Sequence, residues 1–455
     1  MSSSARTADP EPVRRRAHRI RTVVLLGVSC LLLAACGRPE VPPLARATVA
    51  PPAVSDPVTP CSAPPDDTPT GTSSPTGVRA TYDRGAGTIV LSGGTDVTLA
   101  ALADAVGEPR ALRRTAPGEW LLAANLEVRA GAALRIDAPD VRWLKLRSGV
   151  DGFVSLRAVG GRLDVNGSCI TSWDEGQGRA DVAHQDGRSF LLARDGAQMR
   201  IERAQLRYLG YGEVESYGLS WRTEGTGGGI TGSVVSDLYF GLYTYGIDGL
   251  VVTDNEVMNS VLYGIDPHTG SRNLRIERNR VHDNGKHGII LAEDCTDTVI
   301  RDNVVYRNDH HGIVLYQRSD RNVVENNESF DNAAQGININ ESTGNTVRGN
   351  RVYGNEAGID VGQGSRGTVL DNNDVRANKQ DGIRLVTESQ QSTLSENVVG
   401  ENARYGLYVD TDGAFELAGN TIFANRTGLL FKGSEAGSEG KNDVYGNREA
   451  DVTRR

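Results

Sequence analysis

The stretch Gly264-Ile265-Asp266-Pro267-His268 is followed 24 residues later by Gly288-Ile289-Ile290-Leu291-Ala292, and after another 24 by Gly312-Ile313-Val314-Leu315-Tyr316. The same glycine recurs at Gly218, Gly241, Gly336, Gly358, Gly382, Gly406 and Gly428, with gaps of 22 to 24 residues. An asparagine keeps the same beat at Asn255, Asn279, Asn303, Asn327, Asn350, Asn373, Asn397, Asn420 and Asn442. A fixed period of this length marks a stacked-repeat architecture, in which residues one period apart become neighbours.

After each glycine, apolar residues alternate with variable ones, as in Ile289 and Leu291, Ile313 and Leu315, or Ile337 and Ile339. A period of two belongs to a strand with one buried face. A second apolar segment follows in each period, such as Val299-Ile300 or Val323-Val324, and then an Asn-rich turn. Two or three short strands per period predict an all-β, right-handed parallel β-helix. Leucine-rich repeats share the length but need leucine-dense positions that are absent here. The glycines are expected to let the chain turn where other residues would clash. The asparagines are expected to stack as a ladder of amides. Residues 208–455 form the regular coil in this reading. Residues 78–207 lack the comb and are expected as a cap and irregular early coils, with a short helix over 98–106 covering the open end.

The chain begins with a basic stretch and an apolar run over 22–35, ending Leu33-Ala34-Ala35-Cys36-Gly37. That run is short for a membrane span and has the form of a signal peptide, residues 1–36, with lipidation at Cys36. Residues 37–77 are rich in Pro, Ser and Thr and read as a tether. An extracytoplasmic body anchored to the cell membrane through the lipidated Cys36 is the expectation. The formal net charge is −9, and loss of residues 1–35 removes six arginines and two acids. So acidic a body argues against nucleic-acid binding. Cys61, Cys169 and Cys295 give no zinc spacing, and one bridge among them is left unassigned.

In a β-helix the second and fourth positions after each glycine point outward. Read up the coils, these pairs are Ser220 and Arg222, Tyr243 and Tyr245, Asp266 and His268, Ile290 and Ala292, Val314 and Tyr316. The position before the glycine gives the column Tyr217, Phe240, Tyr263, His287, His311, and Lys286 lies under His310. Five of the seven histidines (His268, His282, His287, His310 and His311) fall within 44 residues. One face over about 217–318 thus gathers Tyr, His, Asp, Arg and Lys, which suits a saccharide groove. Tyrosines stack on sugar rings, histidines move protons near neutral pH and cations hold carboxylates. His282 lies among Asn and Asp and is expected to be solvated. No His-Glu-x-x-His spacing and no Gly-Gly-x-Gly-x-Asp repeat occur, so neither metal nor cofactor is expected.

The segment Leu262-Tyr263-Gly264-Ile265-Asp266-Pro267-His268 resembles the Tyr-Gly-Ile/Phe-Asp-Pro-His signature of the mannuronan C-5 epimerases, β-helical enzymes that convert mannuronate to guluronate within alginate. Tyr208-Leu209-Gly210-Tyr211, Ser216-Tyr217-Gly218 and Lys286-His287-Gly288-Ile289-Ile290 are similar to the periplasmic members. The resemblance implies an acidic, uronate-containing polysaccharide as partner. It implies His268 as the base at C5, Tyr263 as the proton donor from the opposite face, and Asp266 as the residue that orients or tunes them. Arg222, Tyr243, Tyr245, Lys286, His287, His310, His311, Tyr316 and Arg318 are the expected substrate contacts.

A polyuronate lyase on the same groove, or a non-catalytic carbohydrate-binding β-helix, is the alternative. Three departures bear on the site. Thr269 stands where the family carries Asp or Glu, Glu293 stands where the periplasmic enzymes carry Arg, and Gly227–Gly229 replaces an expected Lys. Neutralising the substrate carboxylate would then fall to Arg222, Lys286, His310 or Arg318.

Overall fold

The computed structural model describes residues 41–49, 56–61, 74–386, 388–433 and 437–455. The signal segment and Cys36 lie outside them. Residues 41–48 belong to one compact unit and contain neither helix nor strand. The second unit, Val49–Arg455, is the repeat body.

Each regular coil contributes three short strands, for example Ile289–Ala292, Val299–Arg301 and Val304–Tyr306. Each pairs in parallel with its counterpart one coil away: Ile289 with Ile313, Val299 with Val323, Val304 with Glu328. Parallel strands must return to the same end before pairing again, and a coil of this length does so without crossover helices. The inward residues Ile265, Ile289, Leu291, Ile313, Leu315, Ile337 and Ile339 are fully buried and continue as one core along the axis.

The early coils join the same ladders. Leu126 pairs with Leu156, Leu156 with Leu191 and Leu191 with Leu219, so the coils there are longer but their register is continuous. The helix Leu99–Val106 buries Leu99 and Leu102 over the N-terminal end; Thr98 caps it by accepting from the Ala101 amide, and Gly107 ends it at φ +61°. Cys61 is bonded to Cys169, so the segment read as a tether is fastened to the body there, and the Ala180 amide donates to the Pro57 carbonyl. Cys295 is a free, buried thiol.

The asparagine comb sits between the second and third strands. The amide of Asn279 donates to Oδ1 of Asn303 at 2.9 Å and to the Val252 carbonyl at 2.9 Å, and each later coil repeats the pattern. A second ladder, which the sequence reading did not single out, runs through Asn284, Asn308, Asn332, Asn355, Asn378, Asn402 and Asn425.

The second ladder also revises the reason for the glycine comb. Gly264 and Gly288 do not have positive φ. A Cβ on Gly288 would lie 2.4 Å from Val305 Cγ1 and 2.8 Å from Asn308 Nδ2, so the glycine makes room for the asparagine stack.

Asn303 accepts from the Asn279 backbone and side chain and donates to Ile276 and Asn327. Asn303→Ala strands several of these buried groups, each costing about 1–3 kcal/mol. Urea denaturation is expected to show a loss of about 3 kcal/mol; a loss below about 1 kcal/mol would mean the ladder is not needed to hold the coils together.

Candidate active site

The outward register holds pair by pair. Tyr243 lies beside Asp266 and Tyr245 beside His268. His268 lies beside Ala292, and Ala292 beside Tyr316. Because neighbouring coils are about 4.8 Å apart, the column before the glycines becomes a continuous run of ring contacts, tilted up to Tyr263 and stacked from Tyr263 to His311. Tyr217 meets Phe240 at 4.5 Å between centroids, Phe240 meets Tyr263 at 5.3 Å, Tyr263 meets His287 at 5.2 Å and His287 meets His311 at 4.9 Å.

Beside this stack lies a groove of about 350 Å³. Tyr263, Asp266, His268, Lys286, His287, Glu293, His310, His311, Tyr316 and Asn340 supply its polar lining. Its floor is apolar, made by Ile290, Ala292 and Val314 on what is formally the outer face of the coil.

Eight expected site residues therefore meet in one groove: the three assigned to chemistry and Lys286, His287, His310, His311 and Tyr316. Four do not line it. Arg318 is paired with Asp294 at 2.7 Å and lies outside the groove lining. Arg222 is only 6 % exposed and stacks its guanidinium over Tyr243 at 4.5 Å, with Tyr217 and Tyr245 on its flanks. Outward-pointing is thus not the same as exposed, because large rings on adjacent coils roof over the smaller outward groups. Tyr243 packs against the His268 ring at 5.7 Å, and Tyr245 stands exposed at the rim. His282 is a further correction: it is buried, bonded to Asp283 at 2.6 Å and Glu256 at 3.2 Å, and stacked on Tyr306.

Asp266 is 1 % exposed, and neither carboxyl oxygen has a hydrogen-bond partner. Burial, with Glu293 adding to it, pushes its pKa well above the usual carboxylate range against the opposing pull of Lys286 and Arg222. Burial of this kind favours the protonated form of a carboxyl group over the ionised one. Burial lowers the pKa of His268, with Arg222 assisting and Glu293 opposing, so its imidazole is neutral near pH 7. Lys286 Nζ donates to Tyr263 Oη at 2.8 Å, which leaves the phenolic proton free to point elsewhere.

The histidine cluster is the group of residue types that could hold a metal, with one nitrogen from each of His287, His310 and His311 within 4.8 Å of the others. Its hydrogen bonds favour another use. Nδ1 of His287 accepts from the His311 amide at 3.3 Å, and Nδ1 of His311 accepts from the Gln335 amide at 3.2 Å. A neutral imidazole that accepts at Nδ1 carries its proton on Nε2, so both rings present donors rather than lone pairs. The His287 and His311 rings stack with 12° between their planes, and the His310 ring is tilted by 56° to His287.

Sequence reasoning missed one contact. Nδ1 of His268 lies 2.6 Å from Thr269 Oγ1, which donates to Glu293 Oε2 at 2.9 Å. The signal was present, since Thr269 and Glu293 are two of the three departures from the family pattern and they sit 24 residues apart.

A right-handed β-helix family model matches residues 182–327 and 289–448, and the chain belongs to that family. The mannuronan C5-epimerase of Pseudomonas putida is 30% identical over 325 residues, covering 68% of this chain and 52% of that protein. That of Pseudomonas aeruginosa is 31% identical over 226 residues, covering 47% and 40%. The mannuronan C5-epimerase AlgG of Azotobacter vinelandii is 31% identical over 201 residues, covering 41% and 37%. The chain spans roughly two-fifths to half the length of these relatives. Among solved structures, the periplasmic alginate epimerase AlgG superposes with a TM-score of 0.65 at 22% identity, over 90% of this chain and 100% of that one, which shows a shared fold.

Burial, with the neighbouring histidines and Lys286, pushes His287 down to about 2 and His311 down to about 3. Between those values and the ordinary 6.5 the unfolded chain binds more protons than the folded one, so stability falls as pH falls. The slope is at most about 1.4 kcal/mol per pH unit for each ring. Denaturation at pH 7 and pH 5 is expected to show a smaller acid loss for His311→Gln than for the parent. Equal losses would mean that His311 is not held neutral by the fold.

Proposed function

We propose that this β-helix protein binds a uronate-containing polysaccharide in the groove and inverts C5 of a bound residue, in the manner of mannuronate to guluronate conversion. The observation that carries this reading is the meeting of a neutral histidine, His268, and a lysine-held phenol, Tyr263, on the lining of one groove.

The C5 proton of a uronate is weakly acidic because the adjacent carboxylate is already negative. Donors at that carboxylate stabilise the enolate that forms when the proton leaves. The Lys286 ammonium and the Nε2–H groups of His287 and His311 provide such donors, with buried Asp266 beneath them. His268 takes the C5 proton while the C–H electron pair moves into the enolate. Tyr263 then gives its proton to the other face of C5, and solvent restores both groups. The apolar floor of Ile290, Ala292 and Val314 suits the less polar face of a sugar ring.

The relatives named above are mannuronan C5-epimerases, which supports both the reaction and the substrate class. An extracytoplasmic setting is supported by the Cys61–Cys169 disulfide, since such bridges persist in oxidising compartments. It is also supported by the shared fold with the periplasmic AlgG. The apolar run before Cys36 extends the proposal to a lipid anchor on the cell membrane.

Incubation with polymannuronate in deuterated water tests the reaction. Proton NMR is expected to show deuterium at C5 and new guluronate signals, with no rise in absorbance near 230 nm. His268→Ala is expected to lose about 10²–10⁴-fold in rate. A rise at 230 nm would replace epimerisation with β-elimination, and binding without exchange would leave a carbohydrate-binding module.

A further inference from the structure

The bond from Thr269 to Glu293 fixes more than a turn. A carboxylate only accepts, so the single hydroxyl proton of Thr269 goes to Glu293 Oε2 at 2.9 Å. Thr269 Oγ1 then has only lone pairs to offer, and the short 2.6 Å contact to His268 requires the proton to sit on Nδ1 of the imidazole. In the neutral ring, Nε2 is left as the bare nitrogen. Glu293 Oε2 lies 3.8 Å from Nδ1, close enough to favour the imidazolium that proton capture creates.

The backbone supports the same contact. Thr269 has φ +26°, in the left-handed turn that Glu293, Gln317 and Glu341 also take in the following coils. The strand ladder holds it there: the Thr269 amide donates to the Ala292 carbonyl at 2.9 Å, and the Glu293 amide donates to the Tyr316 carbonyl at 3.1 Å. The other groups facing His268 are Arg222, whose charge opposes a second positive charge, and the Tyr243 ring. Of the charged neighbours that act on His268, Glu293 is the one that favours its protonated form.

We infer that Thr269 and Glu293 are positioning residues, a hydroxyl–carboxylate relay that holds His268 as its Nδ1–H tautomer and so keeps Nε2 free to act as the base. The inference deepens the proposed reaction and rests on His268 as its base. It makes two of the three departures from the family pattern one compensating pair. An acid directly after the histidine is replaced by a hydroxyl, and the carboxylate is supplied from the next coil.

The test uses the full chain with ¹⁵N-labelled histidine and no substrate, so it does not depend on the identity of the polymer. Long-range ¹H–¹⁵N spectra above pH 7, with His268→Ala for assignment, are expected to show Nδ1 protonated and Nε2 bare. Thr269→Val is expected to move His268 towards the Nε2–H form, and Thr269→Ser to retain the parent tautomer. Glu293→Gln is expected to keep the tautomer, because its amide oxygen still accepts, but to lower the His268 pKa by about one unit. With polymannuronate, Thr269→Val should lose about 10- to 100-fold in kcat with KM little changed, and Thr269→Ser should recover most of it.

A parent His268 already protonated on Nε2 would overturn the relay. So would a Glu293→Gln variant with an unshifted His268, a readout that stands even where Thr269→Val fails to fold. The predicted spectral changes without any epimerisation would leave the relay in place and overturn the substrate class instead.

Discussion

Parallel stacking of coils at one strand spacing, about 4.8 Å, is the constraint on which the rest of the structure depends. It forces every residue to lie beside its counterpart one period away, whatever the two residues are. Where the counterparts are asparagines, the amides link into ladders that satisfy the buried turns. Where they are aromatic, rings stack at nearly the same spacing, as Tyr306 on Phe330 and Phe330 on Tyr353 at 5.0 and 4.9 Å. The active face obeys the same rule with chemically active rings. Tyr263, His287 and His311 stand in the column that later coils fill with Gln335, Ala357, Asp381, Tyr405 and Thr427.

That spacing also sets the electrostatics. Imidazoles 4.9 Å apart and largely removed from water cannot share positive charge cheaply, so His287 and His311 stay neutral and act as donors. Asp266, roofed over on its outward face, is pushed towards its protonated form by burial. An acidic chain can therefore present a groove suited to a polyanion. It does so with neutral histidine donors beside Lys286, while the Glu293 carboxylate is taken up by Thr269.

Much of this was legible in the sequence, because a solenoid converts period into adjacency. The glycine and asparagine combs gave the coil, and the outward columns brought Tyr263, Asp266, His268, Lys286, His287, His310, His311 and Tyr316 together. What was not legible depends on side-chain direction and on contacts between turns. Arg318 lies in a turn where Asp294, one coil away, captures it. Arg222 points outward yet is covered by tyrosines from its own and the next coil. The glycine comb answers to a second asparagine ladder that the first one overshadowed. Thr269 and Glu293 looked like losses because each was compared with a family position separately, while their meaning lies in the hydrogen bond between them.

The central claim is that a uronate ring lies in this groove between His268 and Tyr263. A crystal structure of the His268→Gln variant with a mannuronate oligosaccharide bound tests it most directly. One ring is expected over the floor of Ile290 and Val314, its carboxylate towards Lys286, its C5 hydrogen facing residue 268 and Tyr263 Oη on the opposite side. An oligosaccharide bound elsewhere on the coil, or a ring with residue 268 and Tyr263 on the same face of C5, would contradict it.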